Sequence, residues 1–164
     1  MIKIRKAAES DISAMLDIYN FEVENGTATL DLERVSLESR LEWFELHNKN
    51  NHPLIVAEKD GEVVGYACLS PFRVKPAYNS TVELSVYVSH KHKGRGIGKA
   101  LMGEILELAR EDEKTHLVVS VITSENKVSC IMHEKFGFSL CGRIHEAAFK
   151  FGRAIDVIFY ELKV

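Results

Sequence analysis

Between Thr81 and Ala109 the chain changes its hydrophobic period across a glycine-rich loop, and this change restricts the fold more than any other feature. Thr81–Ser89 alternates: Glu83, Ser85 and Tyr87 fall on one face of a strand, and Leu84, Val86 and Val88 on the other. From Ile97 onward, Ile97, Leu101, Ile105, Leu108 and Ala109 recur with the helical period of about 3.6 residues. Lys93-Gly94-Arg95-Gly96-Ile97-Gly98 joins the two. A strand that runs through such a loop into a helix gathers backbone N–H groups at the positive end of a helix dipole, which makes an anion site. Glycine lets a phosphate approach the backbone, and Lys93, Arg95 and Lys99 add positive charge. A pyrophosphate is the natural guest.

Two common pyrophosphate motifs do not fit. A Walker A loop needs a glycine where Lys93 stands, and a Ser or Thr where Ala100 follows Lys99. The dinucleotide fingerprint needs a third glycine where Lys99 or Leu101 stands.

The flanking pattern supplies the remaining elements. Ile2–Arg5 alternates as a short strand, and Ser10 or Asp11 caps a helix with Ile12, Met15, Leu16 and Tyr19 on one face, stopped at Asn25-Gly26. A loop over residues 27–35 leads to a helix capped by Ser36, with Leu37, Leu41, Phe44 and Trp43 turned inward. Leu54–Glu58 and Val63–Leu69 are strands joined by the hairpin signal Asp60-Gly61. Residues 70–79, with Pro71 and Pro76, form a loop. His116–Ile122 is a buried strand, Asn126–Phe136 a helix with a Val128, Met132 and Phe136 stripe, and residues 138–147 and 149–163 two last strands. Hairpins alternate with crossover helices, which predicts an α/β (α+β) sheet of mixed direction.

Composition narrows the class. A chain of 164 residues with 46% hydrophobic and 27% charged residues is an ordinary globular balance, and it is expected to form one domain over 1–164. A net charge of −3 argues against bulk nucleic-acid binding. Cys68, Cys130 and Cys141 sit in apolar surroundings and read as small buried hydrophobes in a reducing compartment. No signal-like or membrane-spanning apolar run is visible, so the expected location is the cytoplasm, with no membrane partner. No Cys-x-x-Cys or His-Glu-x-x-His spacing points to a metal.

Two residues stand out as acid–base candidates. Glu83 lies in an otherwise apolar strand, where partial burial would raise its pKa. Periodicity alone favours a solvated strand glutamate, the commoner case. His133 shares a helix face with Ser129, four residues back. An imidazole titrates near working pH, although a lone helical histidine is more often a bystander. Asn126 reads as the cap of that helix.

The stretch VYVSHKHKGRGIGKALM resembles the acyl-CoA-binding motif of the GNAT superfamily of N-acetyltransferases, Gln/Arg-x-x-Gly-x-Gly/Ala. Gly96 and Gly98 match it, and Lys93 replaces the usual Gln or Arg. NKVSCIMHEKFGF is similar to the family's second conserved segment. The TVE-x-SVYV strand, the Ser-x-x-x-His-Glu-x-x-Gly-Phe helix and Lys-Phe-Gly-Arg near the end resemble the phosphinothricin and methionine sulfone/sulfoximine acetyltransferase branch. The likeness runs along nearly the whole chain.

The resemblance implies a mixed, mostly antiparallel, twisted sheet of about seven strands flanked by about four helices. It implies acetyl-CoA as cofactor, held by Lys93, Gly94, Arg95, Gly96, Ile97, Gly98 and Lys99 at its pyrophosphate and by Val86, Tyr87, Val88, Asn126 and Ser129 along its pantetheine arm. It makes Glu83 the general base and places His133 near the thioester. Arg73, Lys75 and Tyr78, in the loop before Glu83, would meet a small-molecule amine of amino-acid type. A homodimer through the C-terminal strands is also implied. One departure bears on the acceptor. Herbicide-detoxifying relatives carry an Asn-Phe-Arg type segment early in the chain, whereas Thr29-Leu30-Asp31 stands here and speaks against phosphinothricin itself. The alternatives are a peptide or protein N-terminus as acceptor, or a non-catalytic acyl-CoA sensor.

Overall fold

The computed structural model describes residues 1–164. Seven strands form one sheet: β1 Ile2–Lys6, β2 Leu54–Lys59, β3 Glu62–Pro71, β4 Thr81–Val88, β5 Leu117–Thr123, β6 Ser139–Lys150 and β7 Arg153–Lys163. Their order in space is β1-β2-β3-β4-β5-β7-β6. Only the β4–β5 contact is parallel. Four helices flank the sheet: α1 Ile12–Asn25, α2 Leu37–Glu45, α3 Ile97–Glu111 and α4 Lys127–Lys135. This is the sheet of mixed direction that the alternation of hairpins and crossovers predicts, in the mostly antiparallel, seven-strand form that the resemblance implies.

The parallel pair is short. It matches Thr81 with Leu117, Val82 with Val118 and Glu83 with Val119, and stops there. Beyond Glu83, β4 continues along β3 alone while β5 continues along β7. The sheet therefore opens into two halves at Glu83. The split gives the molecule its cleft.

Strand alternation decides which helix covers which face. Val82, Leu84, Ile97, Leu101, Met102 and Ile105 belong to the larger core, beneath α3. Ile12, Met15, Val56, Tyr66 and Cys68 form the smaller core on the opposite face, against which Trp43, Phe44 and Tyr87 pack. The Asp60-Gly61 hairpin turn is present, with φ of 53° and 83°, the left-handed pair that a two-residue turn demands.

Several local expectations need correction. The inward face of α2 is not Leu37 and Leu41, which are exposed; Arg40 is buried in their place, with Trp43 and Phe44 one turn on. Val128 on α4 and Cys141 on β6 are also exposed. Strand β3 runs on through Ser70 and Pro71, which pair with Glu83 and Val82. The last hairpin turns at Phe151-Gly152 rather than near residue 148, and both residues have positive φ. Ser36 caps α2 as expected, accepting from the Ser39 N–H. Asp11 stands at the N-cap of α1, but its side chain makes no capping hydrogen bond to that helix. Its carboxylate instead accepts two hydrogen bonds from Arg5, at 2.6 and 2.9 Å, and one from the Ala8 N–H.

That bridge holds the start of α1 to β1. It keeps the Asp11 carboxyl below the usual aspartate range, chiefly through the Arg5 hydrogen bonds. A depressed carboxyl pKa stabilises the fold above the ordinary aspartate value, near 3.9, and the contribution vanishes as the pH falls through the folded value. Asp11→Asn should therefore cost about 1–3 kcal/mol at pH 7, and denaturant titrations should show the gap from wild type narrowing below about pH 4.

Candidate active site

The cleft between the two half-sheets is a cavity of about 480 Å³. One wall is β4, with Glu83, Leu84, Ser85, Val86 and Tyr87; another is β5, from Ser120 to Thr123. Asn126, Ser129 and His133 of α4 close one side, and Arg40 and Trp43 of α2 the other. The 27–35 loop lies over the cleft and is tied to both halves. The Thr123 hydroxyl donates to the Thr27 carbonyl at 3.0 Å, and the Lys150 ammonium donates to the Thr29 carbonyl at 2.9 Å. On the near side, the Tyr19 hydroxyl donates to Asp31 at 2.7 Å and lies 2.7 Å from the Thr29 hydroxyl.

Glu83 sits where the ladder ends, on the face of β4 opposite the α3 core, as its alternation predicts. Burial pushes its carboxyl above the ordinary glutamate value, and the Arg73 charge partly opposes this. His133 is buried. Its Nδ1 lies 2.8 Å from the Ser129 carbonyl and its Nε2 2.8 Å from the Ser120 hydroxyl. A carbonyl can only accept, so Nδ1 carries the proton and Nε2 receives the Ser120 O–H in the neutral ring. Burial lowers the imidazole pKa, which favours that neutral form.

Beyond Glu83 the β4 edge facing the cleft has no strand partner, so backbone groups along Leu84–Val88 are open to a ligand. At the end of β4 comes the glycine loop. Gly94 and Gly96 have φ of 77° and 78°, and a Cβ at either would meet nothing within 4 Å. Glycine is needed there for conformation alone, and the space beside the loop is free. Ala100 N–H donates to the Gly96 carbonyl and closes the first turn of α3. The N–H groups before it have no intrahelical partner and carry the positive end of the helix dipole. Arg95 and Lys99 are exposed beside the loop. Lys93 is held elsewhere, with its ammonium 2.6 Å from the Glu22 carboxylate.

The structure thus brings Glu83, His133, Ser129, Asn126, Val86 and Tyr87 to one cavity, with the glycine loop beyond its β4 wall. It does not bring Arg73, Lys75 or Tyr78 into the lining; all three are exposed, with Arg73 over the Phe72 ring at 4.7 Å. Sequence reasoning missed Arg40. The signal was available, because Arg40, Trp43, Phe44 and His47 recur at helical spacing. The Leu37/Leu41 stripe on the adjacent face concealed it.

Arg40 is 4% exposed. Its guanidinium carbon lies 3.6 Å from the Trp43 ring centre, 5.0 Å from that of Tyr19 and 5.2 Å from that of Tyr66. Its one hydrogen bond goes from Nη2 to the Tyr66 hydroxyl at 2.7 Å, and its buried Nε has no partner.

A split sheet with an open β4 edge and a glycine turn leading into a helix is the frame of an acyl-CoA-dependent acyltransferase. Residues 13–138 match the acetyltransferase (GNAT) family, and the chain belongs to it. It is 34% identical over 161 residues to an L-methionine sulfoximine/L-methionine sulfone acetyltransferase of Salmonella typhimurium, covering 98% of this chain and 94% of the relative. A ribosomal-protein-alanine N-acetyltransferase from Brucella melitensis superposes with a TM-score of 0.94 at 41% identity, over 99% of both chains. A GNAT superfamily phosphinothricin acetyltransferase from Sinorhizobium meliloti, solved with acetyl-CoA, superposes with a TM-score of 0.94 at 32% identity, over 99% of this chain and 88% of that one. The protein is an N-acetyltransferase, and acetyl-CoA is its acetyl donor. No helix is long and apolar enough to cross a membrane.

Gly96 offers a direct check. Its left-handed backbone costs an alanine about 1–2 kcal/mol, so Gly96→Ala should strain the turn that opens α3. Calorimetry should show acetyl-CoA binding weakened by about tenfold, with the thermal midpoint only slightly lowered.

Proposed function

We propose that the chain transfers the acetyl group of acetyl-CoA to the α-amine of a small amino acid or amino-acid analogue of the methionine sulfoximine type. One observation carries the reading: the half-buried Glu83 carboxylate stands at the point where the β4 edge becomes free, inside a cavity roofed by the 27–35 loop. An ammonium must lose a proton before it attacks, and a carboxylate whose pKa is raised by burial accepts that proton near working pH. The names of the Salmonella and Sinorhizobium relatives support the acceptor class.

In this reading Lys93, Gly94, Arg95, Gly96, Ile97, Gly98 and Lys99 form the pyrophosphate site, and Asn126 and Ser129 face the pantetheine arm together with the Val86, Tyr87 and Val88 backbone. Acetyl-CoA supplies an electrophilic thioester carbonyl. Glu83 takes the amine proton, directly or through water. His133 keeps its wall of the cavity in register, since both ring nitrogens are engaged by Ser120 and Ser129. Arg73 acts from the rim, through its charge on Glu83. Leu30 and Asp31 line the cavity, where the herbicide-detoxifying pattern would have a basic contact, and this favours acceptors other than phosphinothricin. The reading includes one catalytic domain, a cytoplasmic location, and a homodimer through the C-terminal strands β6 and β7, where Leu140, Ile144 and Phe149 of β6 and Phe151 of the turn are exposed.

A second reading takes a peptide N-terminus as acceptor. It rests on the likeness to the ribosomal-protein-alanine enzyme.

Free-thiol release with a panel of amino acids, analogues and short peptides separates the two, and release with peptides alone would overturn the first. Glu83→Gln should lower kcat by about 10²–10⁴-fold. Arg73→Ala removes the cation that opposes burial at Glu83, so the acidic limb of the kcat/KM profile should move to higher pH. A profile unchanged in both variants would remove Glu83 from the role.

A further inference from the structure

Arg40 is the anomaly in the cavity. It is 4% exposed and enters no ion pair, and its Nε is buried without a partner. A buried charge is normally paired or neutralised, and a guanidinium does not give up its proton in proteins. The three surrounding rings attract the cation without neutralising it. The nearby acids do not complete the pairing. Asp31 is engaged by the Tyr19 hydroxyl, and the charge that acts on Glu83 is that of Arg73, not Arg40. Of Arg40's donors, only Nη2 is used, at the Tyr66 hydroxyl. The cavity therefore contains a fixed positive charge with spare donors, contributed by α2, and no residue of the glycine loop lines the same space.

We infer that Arg40 binds the carboxylate of the acceptor, so that the enzyme selects amines carrying a free acid group. The planar fork suits a carboxylate, and the Trp43 face at 3.6 Å holds the fork flat. The cavity then matches a zwitterion: Glu83 for the amine and Arg40 for the acid. The inference rests on the proposed reaction at the same cavity and names what that site recognises. It moves acid recognition from the exposed Arg73 and Lys75 to a residue inside the cavity wall.

The test compares L-methionine sulfone with its methyl ester. Wild-type protein should prefer the acid in kcat/KM by about 10²-fold, the loss typical of leaving a buried charge unpaired. Arg40→Met should collapse that preference, and Arg73→Ala should retain it. Parallel weakening of acid and ester in Arg40→Met, or collapse of the preference in Arg73→Ala alone, would overturn the inference. Trp43 is the chain's single tryptophan and gives a second readout that needs no turnover. Its emission should respond saturably to the acid at concentrations where the ester has no effect. An equal response to both would also overturn the inference. Arg40→Lys, with acetyl-CoA binding as the check on folding, serves if Arg40→Met does not fold; it should weaken the acid preference, and an undiminished preference would overturn the inference. If wild type shows the tryptophan response but releases no thiol with any amino-acid acceptor, the proposed reaction fails while the carboxylate site stands.

Discussion

The site depends on a short parallel ladder. Three residue pairs join β4 to β5, and the last of them contains Glu83. Had the ladder continued, the β4 edge would have spent its N–H and C=O groups on β5, and no cleft would exist. Stopping at Glu83 leaves a strand edge open inside the protein, a costly arrangement unless something pairs with it. An extended ligand arm can do so, much as a peptide adds to a sheet edge. The same break leaves Glu83 on the last rung of the ladder, half-buried at the head of the cleft. Position and raised pKa thus have one structural cause.

The β4–β5 ladder and the core shared beneath α3 join the two half-sheets at one end, and a further tie crosses the cleft itself. The 27–35 loop provides the tie. Thr27 and Thr29 meet Thr123 and Lys150 of the far half, while Tyr19 and Asn20 of α1 grip the loop from the near half. Each bond contributes roughly 1 kcal/mol, so the roof is held by several weak ties rather than one strong one.

The fold was largely legible because two periodicities were clean. TVELSVYV alternates without a break, and the α3 stripe repeats without error, so strand, turn and helix follow from spacing. The cleft itself was not legible, because where a parallel ladder ends depends on the packing of β7 against β5, which are far apart in sequence. Glu83 could be placed on a face, but the role proposed for it rests on resemblance. Arg40 was hidden for a different reason. Pattern reading sends leucines inward and arginines outward, and in α2 the aromatic cluster of Trp43, Tyr66 and Tyr19 reverses that rule. Ser70 was assigned to a loop because Pro71 follows it, yet proline is tolerated at the end of a strand.

Burial shifts the Glu83 carboxyl and the His133 imidazole in this cleft, in opposite directions. Glu83 responds with a raised pKa and His133 with a lowered one, so both are drawn toward their neutral forms. Lys150, beneath the roof loop, is likewise pushed toward neutrality, although Asp31 and Glu22 resist. A lysine in the position of Arg40 would face the same pressure and could answer it by losing its proton; a guanidinium has no such route. The choice of arginine among three aromatic rings therefore fixes a positive charge in a cavity where burial draws Glu83 and His133 toward neutrality. That asymmetry gives the cavity an orientation, with one end suited to an anion and the Glu83 end suited to an amine that must shed a proton.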